Sequence, residues 1–224
     1  RGINALKEAD IYDSNFKKLL IPMYGRMIHD IDGKQSLQPY GNKKEHHINS
    51  VSRSEINKAL ILSARSKIEK EPNYAYVAAR MLLSNLYKEV FGESVDVDKF
   101  EDQYKKSFVR NIKKLVKEER LSERLLSYDL DVIAEAITPS RDHLFKYLGI
   151  QTLYDRYFIH LQGRRMETPQ AFYMRVAMGL CLSEENKEQK AIEIYNMMSE
   201  FRYSPSTPTL FNSGTRRSQL SSCY

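Results

Sequence analysis

Three residues near the end of the chain carry the side chains best suited to chemistry: Thr207, Ser222 and Cys223. Thr207 lies in the run Ser204-Pro-Ser-Thr-Pro-Thr-Leu-Phe-Asn-Ser-Gly-Thr215, and Ser222 and Cys223 close the run Gln219-Leu-Ser-Ser-Cys-Tyr224. A hydroxyl both donates and accepts hydrogen bonds, as sugar hydroxyls and phosphates require. A thiol in a short extended segment beside two serines can face a pocket. Each residue also has an ordinary reading. A lone cysteine is often a small buried hydrophobe, and a threonine in a turn can satisfy its own backbone. Pro208 pushes the residue before it out of the helical region, so Thr207 is expected on extended backbone.

Other reactive types sort more simply. Cys181 sits on the last turn of an apolar helix and reads as core. His46-His47 lie in a polar loop with only Glu45 as a neighbouring ligand type, so a solvated loop is favoured over a metal site. Glu118-Glu119 and Glu184-Glu185 read as exposed charges at helix ends. There is no phosphate loop, no glycine-rich dinucleotide motif and no Ser-His-Asp set. Two cysteines give neither a disulfide framework nor a zinc pattern. With no signal-peptide run and no 18-residue apolar segment, a reducing, cytoplasmic setting without membrane insertion is expected. The formal charge of +6 is spread among acidic residues. The densest stretch, residues 105–124, therefore reads as a solvated helix face, not a nucleic-acid surface.

The elements that must position these residues are mostly helices. Hydrophobic residues at 42% and charged residues at 29% describe an ordinary globular chain, and nine Gly with seven Pro are too few for an all-β fold. Residues 1–50 are poorly patterned, with a possible helix over 11–31 and a polar loop over 34–49. Ser52-Arg-Ser-Glu55 has the form of a capping box and opens a helix to about residue 70. A second helix spans about 74–91, closed by Gly92 as a left-handed cap. A third spans about 97–119, with Phe100, Tyr104, Phe108, Ile112 and Leu115 on one face. Short helices follow over 121–128 and 130–137. Residues 149–158 read as a buried apolar stretch, and Gln162-Gly163 as the turn of a small hairpin. Thr168-Pro169 starts a further helix, and Ser183 caps the next. Residues 203–211 read as a strand.

Several of these stretches, taken together and in order, resemble one family. They are Glu55-Ile-Asn-Lys-Ala-Leu-Ile-Leu-Ser-Ala-Arg65, Ile68-Glu-Lys-Glu-Pro-Asn-Tyr-Ala-Tyr-Val-Ala-Ala-Arg80, Leu148-Gly-Ile-Gln-Thr-Leu-Tyr-Asp-Arg-Tyr-Phe158, Glu167-Thr-Pro-Gln-Ala-Phe172 with Met174-Arg-Val-Ala-Met-Gly-Leu180, and the terminal segment 206–224. Over residues 51–224 the chain resembles class I ribonucleoside-diphosphate reductase large subunits. The resemblance implies a mainly α architecture, with a helical domain over 51–200 and the start of a ten-stranded α/β barrel over 201–224. Residues 201–211 would be its first strand, and 1–50 a degenerate or truncated remnant of the family's ATP-binding cone. Asp32-Gly33-Lys34 is not in the basic hairpin context with which that cone usually opens.

By the same resemblance Thr207 and Ser222 would contact the bound nucleotide. Cys223 would be the N-terminal member of the redox pair that reduces the ribose 2′ position. No cofactor is expected on this chain. A small subunit would carry the radical-generating metal site, and thioredoxin or glutaredoxin would be the external reductant. The expected partners are a second polypeptide carrying the rest of the barrel, the small subunit, a ribonucleoside diphosphate and further copies of the assembled large subunit. The competing reading is a non-catalytic helical regulator or scaffold derived from the same fold.

Overall fold

Apolar residues recurring every three or four positions build three long helices, and the first wraps onto the second. The computed structural model describes residues 53–92 and 95–222. The expectations for 1–52 (the helix, the His46-His47 loop, the cone remnant and Ser52 of the capping box) lie outside the described residues, as does Cys223. α1 (Arg53–Arg65) buries Leu60, Ile61 and Ala64 against α2 (Tyr74–Phe91). The apolar face of α2 is far wider than a single stripe: Ala75, Val77, Ala78, Ala79, Leu82, Leu83, Leu86, Tyr87, Val90 and Phe91 are all buried. α2 is the central element of the domain. Gly92 ends it with φ +73°, a left-handed conformation that glycine adopts without a Cβ clash. Arg110, on the next helix, donates to the carbonyls of Val90 and Phe91 and so satisfies the end of α2.

α3 (Phe100–Lys117) buries the expected face: Phe100, Tyr104, Phe108, Ile112 and Leu115. Its outer charges pair locally, Lys105 with Glu135 and Lys106 with Asp102, as a solvated face would. A 3-10 turn (Glu123–Ser127) and α4 (Leu130–Glu135) follow, the latter capped by the Asp129 carboxylate accepting from the amides of Asp131 and Val132. The next stretch, of which only residues 149–158 read as buried and apolar, is ordered throughout. It holds a 3-10 turn (Pro139–Leu144), α5 (Tyr147–Thr152) and a π turn (Leu153–Tyr157). β1 (His160–Leu161) pairs antiparallel with β2 (Arg164–Arg165). Gln162 and Gly163 between them both have positive φ, the turn a two-residue hairpin favours.

α6 (Pro169–Leu180) starts where Thr168-Pro169 predicted, although the Thr168 hydroxyl makes no capping bond. α7 (Lys187–Ser199) packs along it and is preceded by Asn186, so Ser183 is not its cap. The predicted strand over 203–211 does not form. Residues 207–212 are instead a short helix, α8 (Thr207–Asn212). Ser206 takes the extended backbone that had been expected of Thr207, and Pro208 falls in the first helical turn, where its missing N–H costs nothing. The mainly helical class therefore holds, while the first barrel strand does not. Among the described residues no helix is long and apolar enough to cross a membrane.

A polar hub lies inside this apolar packing. Asp142, in the 3-10 turn after Thr138, is fully buried. Its Oδ2 accepts from the hydroxyls of Tyr87 (2.8 Å) and Tyr104 (2.9 Å), and its Oδ1 from Gln170 Nε2 (2.9 Å). Gln170 Oε1 accepts from the Tyr195 hydroxyl, which in turn accepts from the Thr138 amide. α2, α3, α6 and α7 thus meet on one carboxyl group. No cation stands among these partners, and burial raises the Asp142 pKa to about 7, against the hydrogen bonds that lower it.

The folded chain therefore holds a proton on Asp142 that the unfolded chain releases near pH 4. Stability from this group is complete below that point and is lost as pH rises through about 7. Urea unfolding should show a midpoint that falls between pH 5 and pH 8, with a total change of a few kcal/mol at most. Asp142→Asn keeps the shape without the titration, and it should flatten that slope. An unchanged slope in the variant would assign the pH dependence to other groups.

Candidate functional site

Thr207 and Ser222, the two expected nucleotide-contact residues that the structure describes, are both exposed, on neighbouring segments. The tie between the segments is local. Thr209 Oγ1 donates to the Leu220 carbonyl (3.3 Å) and Asn212 Nδ2 to the Gln219 carbonyl (2.7 Å), so residues 219–220 run back against α8. Thr207 is the first residue of α8, and its hydroxyl stands 3.4 Å from the hydroxyl of Tyr157. Cys181, read as core, is 2% exposed, and burial pushes its thiol up to about 11. It is a poor nucleophile there.

Three contacts fix α8 to the helical domain, and sequence reasoning found none of them. The first is Arg175, fully buried in α6. Its guanidinium grips Glu167 through Nε (2.8 Å) and Nη2 (3.3 Å), and its Nη1 donates to the carbonyls of Leu210 (3.2 Å) and Ser213 (2.8 Å). Glu167 also accepts from the Ile159 amide, so one ion pair joins α6, the hairpin entrance and the end of α8. A charged group inside apolar packing is tolerated only when it is paired and hydrogen-bonded in this way. The lone charge in Met174-Arg-Val-Ala-Met178 was the available signal: an arginine on a helix otherwise apolar must have a buried partner.

The second contact is Tyr157 on Phe211, stacked with ring centroids 4.4 Å apart and planes 6° from parallel. The third is the approach of residues 213–214 to α6. Ser213 Oγ donates to the Val176 carbonyl, and Gly214 lies so close that a Cβ on Gly179 would sit 2.1 Å from its nitrogen. Gly214 itself has φ +77° and its carbonyl accepts from the Ser122 amide. Thr215 then bridges to Leu121. The segment bearing Thr207 and Ser222 is thus anchored by its middle, while both candidate side chains project from the anchored part.

The comparisons with known proteins match this architecture. Residues 143–218, which contain Gln170 and Tyr195 of the hub, the Arg175–Glu167 ion pair and α8, match the family described as the ribonucleotide reductase all-alpha domain. The chain is 52% identical over 174 residues to the ribonucleoside-diphosphate reductase subunit alpha of Chlamydia trachomatis, a match covering 78% of this chain and 17% of that protein. Over most of its length the chain is similar to ribonucleotide reductase large subunits. The Helicobacter pylori subunit alpha is 35% identical over 181 residues and the Danio rerio large subunit 34% over 180, each match covering 78% of this chain and 21% of the relative. The chain therefore spans about a fifth of the length of the curated relatives it matches, 17–21%.

Arg175→Ala should strand the Glu167 carboxylate in the core and release α8, at a cost of about 3–5 kcal/mol. Gly179→Ala should instead force residues 213–214 away from α6 with a smaller loss of stability. Hydrogen exchange separates the two: the alanine at 179 should speed exchange chiefly over 207–216, and the alanine at 175 across α6 as well. Protection of 207–216 left intact in both would refute this anchoring.

Proposed function

We propose that these residues form the N-terminal part of the catalytic subunit of a ribonucleoside-diphosphate reductase. The observation that carries the reading is the 52% identity to a reductase alpha subunit over most of the chain. It is supported by the exposed hydroxyls of Thr207 and Ser222 at the segment that leads to Cys223. In this reading Thr207 and Ser222 hydrogen-bond the bound nucleotide, and Cys223 is one thiol of the dithiol. Removal of the ribose 2′-hydroxyl as water consumes two electrons and two protons. A dithiol supplies both electrons and both protons as it closes to a disulfide. Thioredoxin or glutaredoxin then reopens that disulfide.

The rest of the machinery is assigned to protein outside these residues. The remaining barrel and the partner thiol would lie outside these residues, a small subunit would generate the radical, and the assembled large subunit would form a homo-oligomer in the cytoplasm. α8 fits the role of a positioning element, because its last carbonyls are held by a fully buried arginine.

In a complete large subunit containing these residues, assembled with the small subunit, Cys223→Ser should abolish multiple turnover while leaving folding and nucleotide binding nearly intact. Thr207→Ala should weaken nucleotide binding by about 0.5–1.5 kcal/mol, the value of one neutral hydrogen bond. Full multiple turnover by Cys223→Ser, measured as deoxynucleotide formed per enzyme, would make the thiol structural and overturn the redox role.

A further inference from the structure

Between α5 and the hairpin the chain makes a π turn (Leu153–Tyr157), closed by the Phe158 amide on the Leu153 carbonyl at 3.0 Å. Such turns are rare and occur mostly at functional sites. This one goes no further because side chains take the next pair of backbone groups. The Tyr154 carbonyl accepts from Arg165 Nε (3.1 Å), and the Ile159 amide donates to Glu167 Oε2 (2.8 Å).

Glu89, near the C-terminal end of α2, holds the same turn from the other side. Its carboxylate accepts from the Tyr154 hydroxyl (2.9 Å) and from the Arg165 amide. The Arg165 guanidinium lies over the Tyr154 ring at 4.2 Å, and Arg164 donates to the Glu89 carbonyl (2.7 Å). One half-buried carboxylate therefore ties α2, the π turn and β2 together. The last residue of the turn is Tyr157, whose ring is stacked on Phe211 of α8 and met edge-on by Phe172 of α6. The stack is the stronger link to α8, since the 3.4 Å between the Tyr157 and Thr207 hydroxyls exceeds an ordinary O–H···O bond.

We propose that Glu89 is a positioning residue for Thr207, acting through Tyr154 and Arg165 on the π turn and through Tyr157 on α8. The inference rests on the reading in which Thr207 contacts the bound nucleotide. Without the carboxylate, the Tyr154 hydroxyl and the Arg165 amide lose their shared acceptor. The turn can then relax toward ordinary i→i+4 pairing, which re-aims Tyr157 and loosens its stack on Phe211. Glutamine at 89 keeps an acceptor for the Arg165 amide, and its own N–H can donate to the Tyr154 hydroxyl, so it should restore the clamp.

Two measurements test this. In hydrogen exchange on the 224-residue chain, Glu89→Ala should speed the amides of 157–158 and of 207–212 together, and Glu89→Gln should leave both near wild type. Asn85→Ala, which removes the Asn57–Asn85 hydrogen bond elsewhere on α2, should leave both unchanged. In a complete large subunit containing these residues, assembled with the small subunit, Glu89→Ala should raise KM for the ribonucleoside diphosphate about threefold and leave kcat nearly unchanged. Added to Thr207→Ala it should raise KM by less than about 1.5-fold more, because both changes disable one contact. A residue that merely supports the fold would instead give additive effects. The proposal is overturned if Glu89→Ala leaves 207–212 protected, if Asn85→Ala speeds those amides equally, or if the KM effects of Glu89→Ala and Thr207→Ala multiply. An unchanged KM in Thr207→Ala would strike the nucleotide-contact reading itself, whereas slow amides over 207–212 in Glu89→Ala would strike the clamp alone.

Discussion

A buried carboxyl group without a cation constrains this domain more than any other single group. Asp142 cannot be left unsatisfied at zero exposure, and it can be satisfied only by donors brought to it from separate helices. Tyr87 and Tyr104 place α2 and α3 at a fixed depth, and Gln170 does the same for the first turn of α6. Tyr195 extends the network to α7 through Gln170. Apolar packing alone would let these helices slide, because oily contacts are not directional. The hydrogen bonds at the hub set one register. The short, irregular elements between Pro139 and Tyr157 follow from it: the chain must present Asp142 inward and then return to the surface within a few residues.

The domain handles its second buried charge differently. Arg175 remains a cation and is matched by a full carboxylate, with backbone carbonyls taking its remaining donors. A buried ion pair adds little net stability compared with an apolar pair of the same size, so its contribution is chiefly specificity of arrangement. Here that specificity falls on α8. The hub orders the interior of the domain, and the ion pair connects this interior to the segment that carries Thr207 and Ser222.

Elements governed by local periodicity were legible in the sequence. α2 and its Gly92 cap, the inward face of α3, the Gln162-Gly163 turn and the burial of Cys181 all depend on spacing or on one residue's backbone freedom. Elements governed by distant partners were not. Residues 139–157 show no clear period, so their turns and α5 could not be told from irregular chain. Residues 207–212 carry a proline and β-branched threonines that favour extended backbone. They fold as a helix whose end is held by Arg175, far away in sequence, donating to the carbonyls of Leu210 and Ser213. Of the candidate site, the exposed hydroxyls were legible from residue type, whereas their anchoring through Arg175, Tyr157 and Gly179 was not.

The shape of α8 has a mechanical consequence. It is pinned at its C-terminal end by Arg175 and Ser213, and Thr207 lies at the other end, about 9 Å away for six residues at the usual helical rise. A short rod held at one end behaves as a lever. A tilt of about 10° at the pin would move Thr207 by about 1.5 Å, as much as separates a productive contact from a lost one. Phe211, stacked on Tyr157 partway along, is the brace that limits such a tilt. Pointing accuracy at one hydroxyl thus depends on the stiffness of one aromatic contact.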